Sequence, residues 1–311
     1  MSRRSTASRL AARLAILSLA ASALAAGCAA PLNIQASADP LGILGKGAMA
    51  YARLGGTAAR ELAPALLPAD EAKALDPLLA RTRLIALGLG SLPSPTSFEE
   101  PSFEKPSFQA CLIGDYPFRA AVLSLGADPA WKREKAGYYN SALGMRADVP
   151  GPNLVLASSG SLEPLIAAAK KPGASPIPPR LEASAQGELV IWLPEPFSGL
   201  MAALLGEAMD IPARGLLISA TPQARAPGAA VTDYEMAVIF LMSDADSARV
   251  YRPALKLAWY GIAKGLLSEE ADSALGAKFA LEGDTYSASG IRLTEKALAG
   301  ALAAMRVGLD R

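Results

Sequence analysis

Leu14 to Leu24 form an apolar run of Leu, Ile and Ala broken only by Ser18 and Ser22, and from about Ala48 the chain changes to shorter apolar segments with two different periods. Spacing of three to four predicts amphipathic helices, and short apolar blocks or alternation predict strands. Helices are predicted over Ala48–Leu66 (Met49, Leu54, Ala58 and Leu62 in phase, Gly55-Gly56 weakening the middle, Pro64 ending or kinking it), Asp70–Ala80, Pro117–Leu125 and Ser161–Lys171. Phe197, Leu200, Met201, Leu204, Leu205 and Met209 follow helical spacing, and Ser243, Asp244 and Asp246 offer caps for a long helix reaching Leu267. Thr294 caps a last helix carrying Leu298, Leu302 and Met305. Strands are predicted at Arg83–Leu89, Phe108–Ile113, Tyr138–Ala142, Asn153–Ala157, Glu188–Leu193, Arg214–Ala220 and Tyr234–Met242, with a hairpin, Ala277–Leu281 and Thr285–Ser289, around Glu282-Gly283-Asp284.

The order of elements from Arg83 to Lys171 matches that from Arg214 to Met305, so the predicted fold is α+β. Two similar mixed α/β halves from an internal duplication are expected, with helices packed on antiparallel or mixed sheets; a single mixed sheet covered by helices is the alternative. The stiff connector Pro172–Pro179 separates a first half, residues 41–179, from a second, residues 180–311. Ser97-Phe98-Glu99-Glu100-Pro101, Ser102-Phe103-Glu104-Lys105-Pro106 and Ser107-Phe108-Gln109 repeat a five-residue unit. Proline at that spacing denies a helix or a central strand, leaving a solvated loop or a tip that presents Phe98 and Phe103.

Composition narrows the chemistry. The 311 residues contain no histidine, which excludes Ser-His-Asp and Cys-His catalysis and the histidine-bearing zinc sites. Neither Gly88-Leu89-Gly90 nor Gly42–Lys46 completes a phosphate-binding loop, and Asp244 with Asp246 lacks the rest of a calcium loop. Glu269, Glu270 and Asp272 read as a solvated turn. Ser102-Phe-Glu-Lys105 matches a penicillin-binding motif by letter but lacks its companion elements. No catalytic residue, metal ligand or cofactor is assigned. Thirty basic against 29 acidic residues give no reason to expect a nucleic-acid partner. Of the two cysteines, Cys111 lies in an apolar run and reads as a buried structural thiol.

The other cysteine changes the picture. Arg3, Arg4, Arg9 and Arg13 precede the Leu14–Leu24 run, and Ala25, Ala26 and Gly27 are small. This is the layout of a secretory signal over residues 1–27. Leu24-Ala25-Ala26-Gly27-Cys28 resembles the bacterial lipobox, in the relaxed form similar to spirochaetal examples. That resemblance implies a diacylglyceryl group on the Cys28 thiol, cleavage before Cys28 and acylation of the new amine. Residues 28–40 would then be a lipidated tether, and the membrane the first partner, held through the acyl chains.

Two helices carry candidate contacts. The segment from Phe197, with Leu200, Met201 and Leu204, has Glu207 as its only charge before Asp210. The segment from Asp246 places Arg249, Arg252, Lys256 and Lys264 near one face beside Trp259 and Tyr260, opposite a stripe of Tyr251, Leu255, Ala258, Ile262 and Leu266. Basic residues beside aromatics suit the headgroup region of an anionic leaflet, and the same pattern fits an ordinary surface helix packed on a sheet. With the lipobox and the duplicated layout, these helices resemble a spirochaetal outer-membrane lipoprotein group that dips helices into the inner leaflet and carries lipid. The expectation is a non-catalytic, lipid-anchored bacterial envelope protein facing the periplasm or cell surface. It would bind an apolar ligand, a membrane leaflet or another envelope protein. A histidine-free envelope hydrolase using carboxylates or a Ser/Lys pair, and a structural assembly subunit, are the competing readings.

Overall fold

The computed structural model describes residues 39–66, 76, 78–90, 107–197, 211–223, 232–267 and 271–309. They form two compact α+β units. One comprises the described residues up to Arg60 and from 67 to Pro176; the other comprises Glu61–Leu66 and the residues from Ile177 onward. The division after Pro176 falls inside the proline-rich connector.

The first unit is built on β1 (Ala50–Gly55), β2 (Thr82–Leu89), β3 (Phe108–Gly114), β4 (Trp131–Arg133), β5 (Tyr138–Asn140), β6 (Met145–Gly151) and β7 (Leu154–Ser158), in the order β1-β2-β3-β7-β6-β5-β4. Neighbouring strands are antiparallel throughout. The apolar blocks lie centrally: each residue of β7 is buried, and Cys111 on β3 sits between Ala86 and Leu156 in register. Strand β6 alternates buried and half-buried positions, the period of a strand covered on one face. Helix α1 (Gly56–Leu62) follows β1 directly, α2 (Phe118–Ala127) packs on β4 and β6, and α3 (Glu163–Lys170) packs on a 3-10 turn at Pro40–Ile43. That turn buries Leu41 and Ile43 and is capped by Asp39, whose carboxylate accepts from the Leu41 N–H at 3.1 Å.

The helix expected over Ala48–Leu66 is corrected: its first part is strand β1, paired along its whole length with β2. Gly55-Gly56 marks the switch from strand to helix rather than a weak helix centre. Strands β4 and β6 also lie where the pattern gave no element.

The second unit contains β8 (Leu189–Pro194), β9 (Ala213–Pro222), β10 (Asp233–Met242), α4 (Ala245–Leu267), α5 (Ala271–Leu275), β11 (Lys278–Glu282), β12 (Thr285–Thr294) and α6 (Glu295–Leu309). Its sheet runs β8-β9-β10-β12-β11, antiparallel throughout. With β4 and β5 set aside, both units share one strand wiring: the fourth and fifth strands exchange places, a helix follows the third strand, with α5 added in the second unit, and a helix follows the last. Gly283, at φ 58°, turns the β11–β12 hairpin at Gly283-Asp284.

Helix α4 starts where predicted because Asp244 caps it, its carboxylate accepting from the Ser247 N–H at 2.7 Å and from the Ser247 hydroxyl at 3.0 Å. It lies on β10, β11 and β12 and touches α5 and α6. Glu61 joins this unit: its carboxylate accepts from the Tyr234 hydroxyl at 2.6 Å and from Thr232 Oγ1 at 3.0 Å. Burial, then that hydrogen bond and the carboxylate's charge, push the Tyr234 phenol well above its usual range.

Candidate functional site

The site lies where α4 crosses the β11–β12 hairpin. The two-residue turn sets the register, pairing Phe279 with Ala288 and Leu281 with Tyr286. Successive strand residues alternate faces, so Phe279, Leu281, Tyr286 and Ala288 share one face. On it the Phe279 and Tyr286 rings stack at 5.7 Å and 9°. Tyr260 of α4 meets Phe279 edge-on at 6.0 Å, and the Lys256 ammonium lies 5.0 Å from the Phe279 centroid and 5.5 Å from that of Tyr260. Each such cation–ring contact contributes about 0.5–1 kcal/mol at an exposed site.

Arg252, one turn before Lys256, is exposed like it, and neither makes an ion pair among the described residues. Arg249 differs, pairing with Asp246 at 3.2 Å. Tyr286 is 1% exposed, and its buried hydroxyl has the donor-only Arg252 side chain beside it and no acceptor for its own O–H among the described residues. Burial raises its pKa, and the nearby Arg252 charge partly offsets this.

The outward face of α4 is unusual. Val250 is 71% and Leu257 69% exposed, and Pro253 and Gly261 are exposed between and beyond them. Their spacing of three, four and four aligns them on one ridge. The helix therefore has two apolar faces, one packed on the sheet through Ala248, Leu255, Ala258 and Ala263 and one open. Arg249, Arg252, Lys256 and Tyr260 occupy the flank between ridge and hairpin.

The sequence-predicted contacts divide accordingly. Arg252, Lys256 and Tyr260 come together. Trp259 is corrected: it is 2% exposed and its indole N–H donates to the Ala274 carbonyl at 3.1 Å, because it points toward α5 rather than outward. Phe197 is corrected in the same way, being 3% exposed and stacked on Phe240 at 6.2 Å. Leu200, Met201 and Leu204, the Phe98 and Phe103 repeat, and Cys28 with its signal lie outside the described residues. Sequence reasoning missed Phe279, Tyr286, Val250 and Leu257. The hairpin register held the signal for the first two, and a second stripe on the same helix held it for the others.

Among the described residues no three His, Cys, Asp or Glu side chains converge in a way that could hold a metal, and no helix is long and apolar enough to cross a membrane. Cys111 is fully buried, and burial pushes its thiol up to about 12.

No family model and no curated protein matches the chain. Among solved structures it is similar to TP0453 in three crystal forms. Crystal form I aligns with a TM-score of 0.59 at 17% identity, covering 88% of this chain and 100% of that one. Form III gives 0.57 at 16% over 86% and 99%, and form IV gives 0.54 at 16% over 85% and 96%. At such identity the likeness is one of fold: the chain has the α+β fold of TP0453.

Proposed function

We propose that this is a non-catalytic bacterial envelope lipoprotein, anchored through acyl chains on Cys28, whose folded body lies against an anionic leaflet through α4. The observation that carries the reading is the open ridge of Val250 and Leu257 beside the exposed cations Arg252 and Lys256, neither of which pairs with a carboxylate among the described residues. That combination is the signature of a helix lying in the plane of a membrane interface.

Magnitudes explain why an anchor and a surface helix belong together. Burying a Val or Leu side chain contributes about 1.5–3 kcal/mol, and each Lys or Arg near an anionic surface about 1 kcal/mol. Two apolar and two basic side chains give weak, salt-sensitive attachment. Acyl chains, at about 0.8 kcal/mol per buried CH2, hold the protein permanently. With the anchor in place, docking of α4 becomes an intramolecular step and weak contacts suffice.

Flotation of residues 29–311, made without the signal and Cys28, tests the docking surface. The protein is expected to rise with phosphatidylglycerol vesicles at low salt, to be released by salt, and to lose binding when Val250 and Leu257 are both replaced by Asp. Failure of the wild-type body to float at low salt would contradict the reading.

A further inference from the structure

We infer that Arg252, Lys256 and Tyr286 form a binding site for the phosphate of an anionic phospholipid headgroup. The inference rests on the docking surface proposed above and assigns its chemistry. Three observations converge on it.

First, Tyr286 is held rigidly. Its ring stacks on Phe279 at 9° and stands opposite Phe240 in the β10–β12 register. Its hydroxyl is buried beside the Arg252 side chain, which can only donate, so the phenolic O–H has no acceptor among the described residues. A phenylalanine would fill the same space without that cost, because a buried donor left unpaired is destabilising. Burial keeps the phenol protonated, so its O–H can donate a hydrogen bond to an incoming oxygen.

Second, Arg252 and Lys256 stand one helical turn apart on the same flank, with no carboxylate paired to either among the described residues. Like charges at this spacing repel, and an anion between them relieves the repulsion. Guanidinium matches a phosphate oxygen pair through two parallel N–H donors, while ammonium acts as a point charge. The exposed Arg252 side chain lies beside the Tyr286 hydroxyl, and turning it outward lets a phosphate oxygen approach both.

Third, the site adjoins the Val250–Leu257 ridge on the next face of the same helix. A phosphate held by the flank leaves the glycerol and acyl carbons of the same molecule beside an apolar surface. That favours a lipid over a soluble phosphate. A choline headgroup would set its own cation against Arg252 and Lys256, so an anionic lipid is preferred to a zwitterionic one.

Native mass spectrometry of the full lipidated chain tests this, using short-chain phosphatidylglycerol, short-chain phosphatidylcholine and inorganic phosphate as probes. The wild type is expected to hold phosphatidylglycerol more tightly than phosphatidylcholine. Tyr286→Phe should lower phosphatidylglycerol affinity about tenfold through loss of one hydrogen bond to a charged oxygen, leave phosphatidylcholine unchanged, and melt no lower than wild type. Arg252→Gln with Lys256→Gln should abolish the preference. A Tyr286→Phe chain that binds phosphatidylglycerol as the wild type does overturns the site, and competition by inorganic phosphate at matched concentration overturns its assignment to lipid. If flotation succeeds while Tyr286→Phe has no effect, the headgroup site alone falls. If flotation fails, the docking surface falls and the site with it.

Discussion

Asp148, on β6, shows how a single half-buried group ties this fold to pH. Burial raises its carboxyl pKa, only partly offset by the Val149 amide and the Arg133 charge. A raised folded value means that the ionised form is disfavoured by folding. The associated stability is fully present below the unfolded value, about 3.9, and is lost as pH rises through the folded value. Asp148→Asn is therefore expected to raise the melting temperature at neutral pH, with the gain shrinking as pH falls toward about 4. Thermal melts across that range check it, and a gain that persists at acid pH would rule out ionisation as the cause. Tyr286 stands in a similar position, its cost to the fold being a buried O–H with no acceptor among the described residues rather than a charge. The residue scale was also the least legible in the sequence. Trp259 and Phe197 read as contacts because aromatic residues in an amphipathic pattern look alike on either side of a helix. Only the packing partners, Ala274 and Phe240, decide which way each ring points.

At the scale of elements, the amino-acid pattern located most boundaries because the boundaries have local causes. Thr294 caps α6, its hydroxyl accepting from the Ala297 N–H at 3.3 Å, and the hairpin needs only Gly283 in its left-handed conformation. Thr294→Ala is expected to cost about 1 kcal/mol, measured as a shift in the denaturant midpoint with an unchanged slope. No change in the midpoint would show that the cap is carried by other contacts. Where the cause is not local the pattern failed. Strand β1 has the sequence Ala-Tyr-Ala-Arg-Leu-Gly, a poor strand former whose Leu54 also fits a helical period with Ala58 and Leu62. Its extended form is fixed by pairing with β2, some thirty residues away. The close approach of Trp192 to Gly215 is likewise invisible along the chain: the indole lies over the glycine, and a Cβ there would collide with it. The second apolar face of α4 was legible, by contrast, since Val250, Pro253, Leu257 and Gly261 are in phase. The stripe from Tyr251 to Leu266 already accounts for the helix and masks it.

At the scale of the whole molecule, the two units share a strand order that the chain announces in its sequence of helices and strands. The likeness to TP0453 extends over most of both chains. What a fold does not convey is the attachment of the chain to anything else, and here the two thiols provide a check. Cys111 is fully buried, and if Cys28 carries lipid the protein purified from its membrane has no reactive thiol until it is unfolded, when one appears. A thiol that reacts in the native protein would mean that Cys28 is free.

The most direct test of the account places a nitroxide at residue 257, by Leu257→Cys, in the full lipidated chain reconstituted into bilayers. The buried Cys111 does not compete for the label. With phosphatidylglycerol present, collisions of the label with oxygen should rise and collisions with a water-soluble paramagnetic reagent should fall, as for a group below the headgroups. In purely phosphatidylcholine bilayers the water-soluble reagent should still reach it. A label equally open to water in both bilayers would contradict the claim that α4 is the face this protein turns to the membrane.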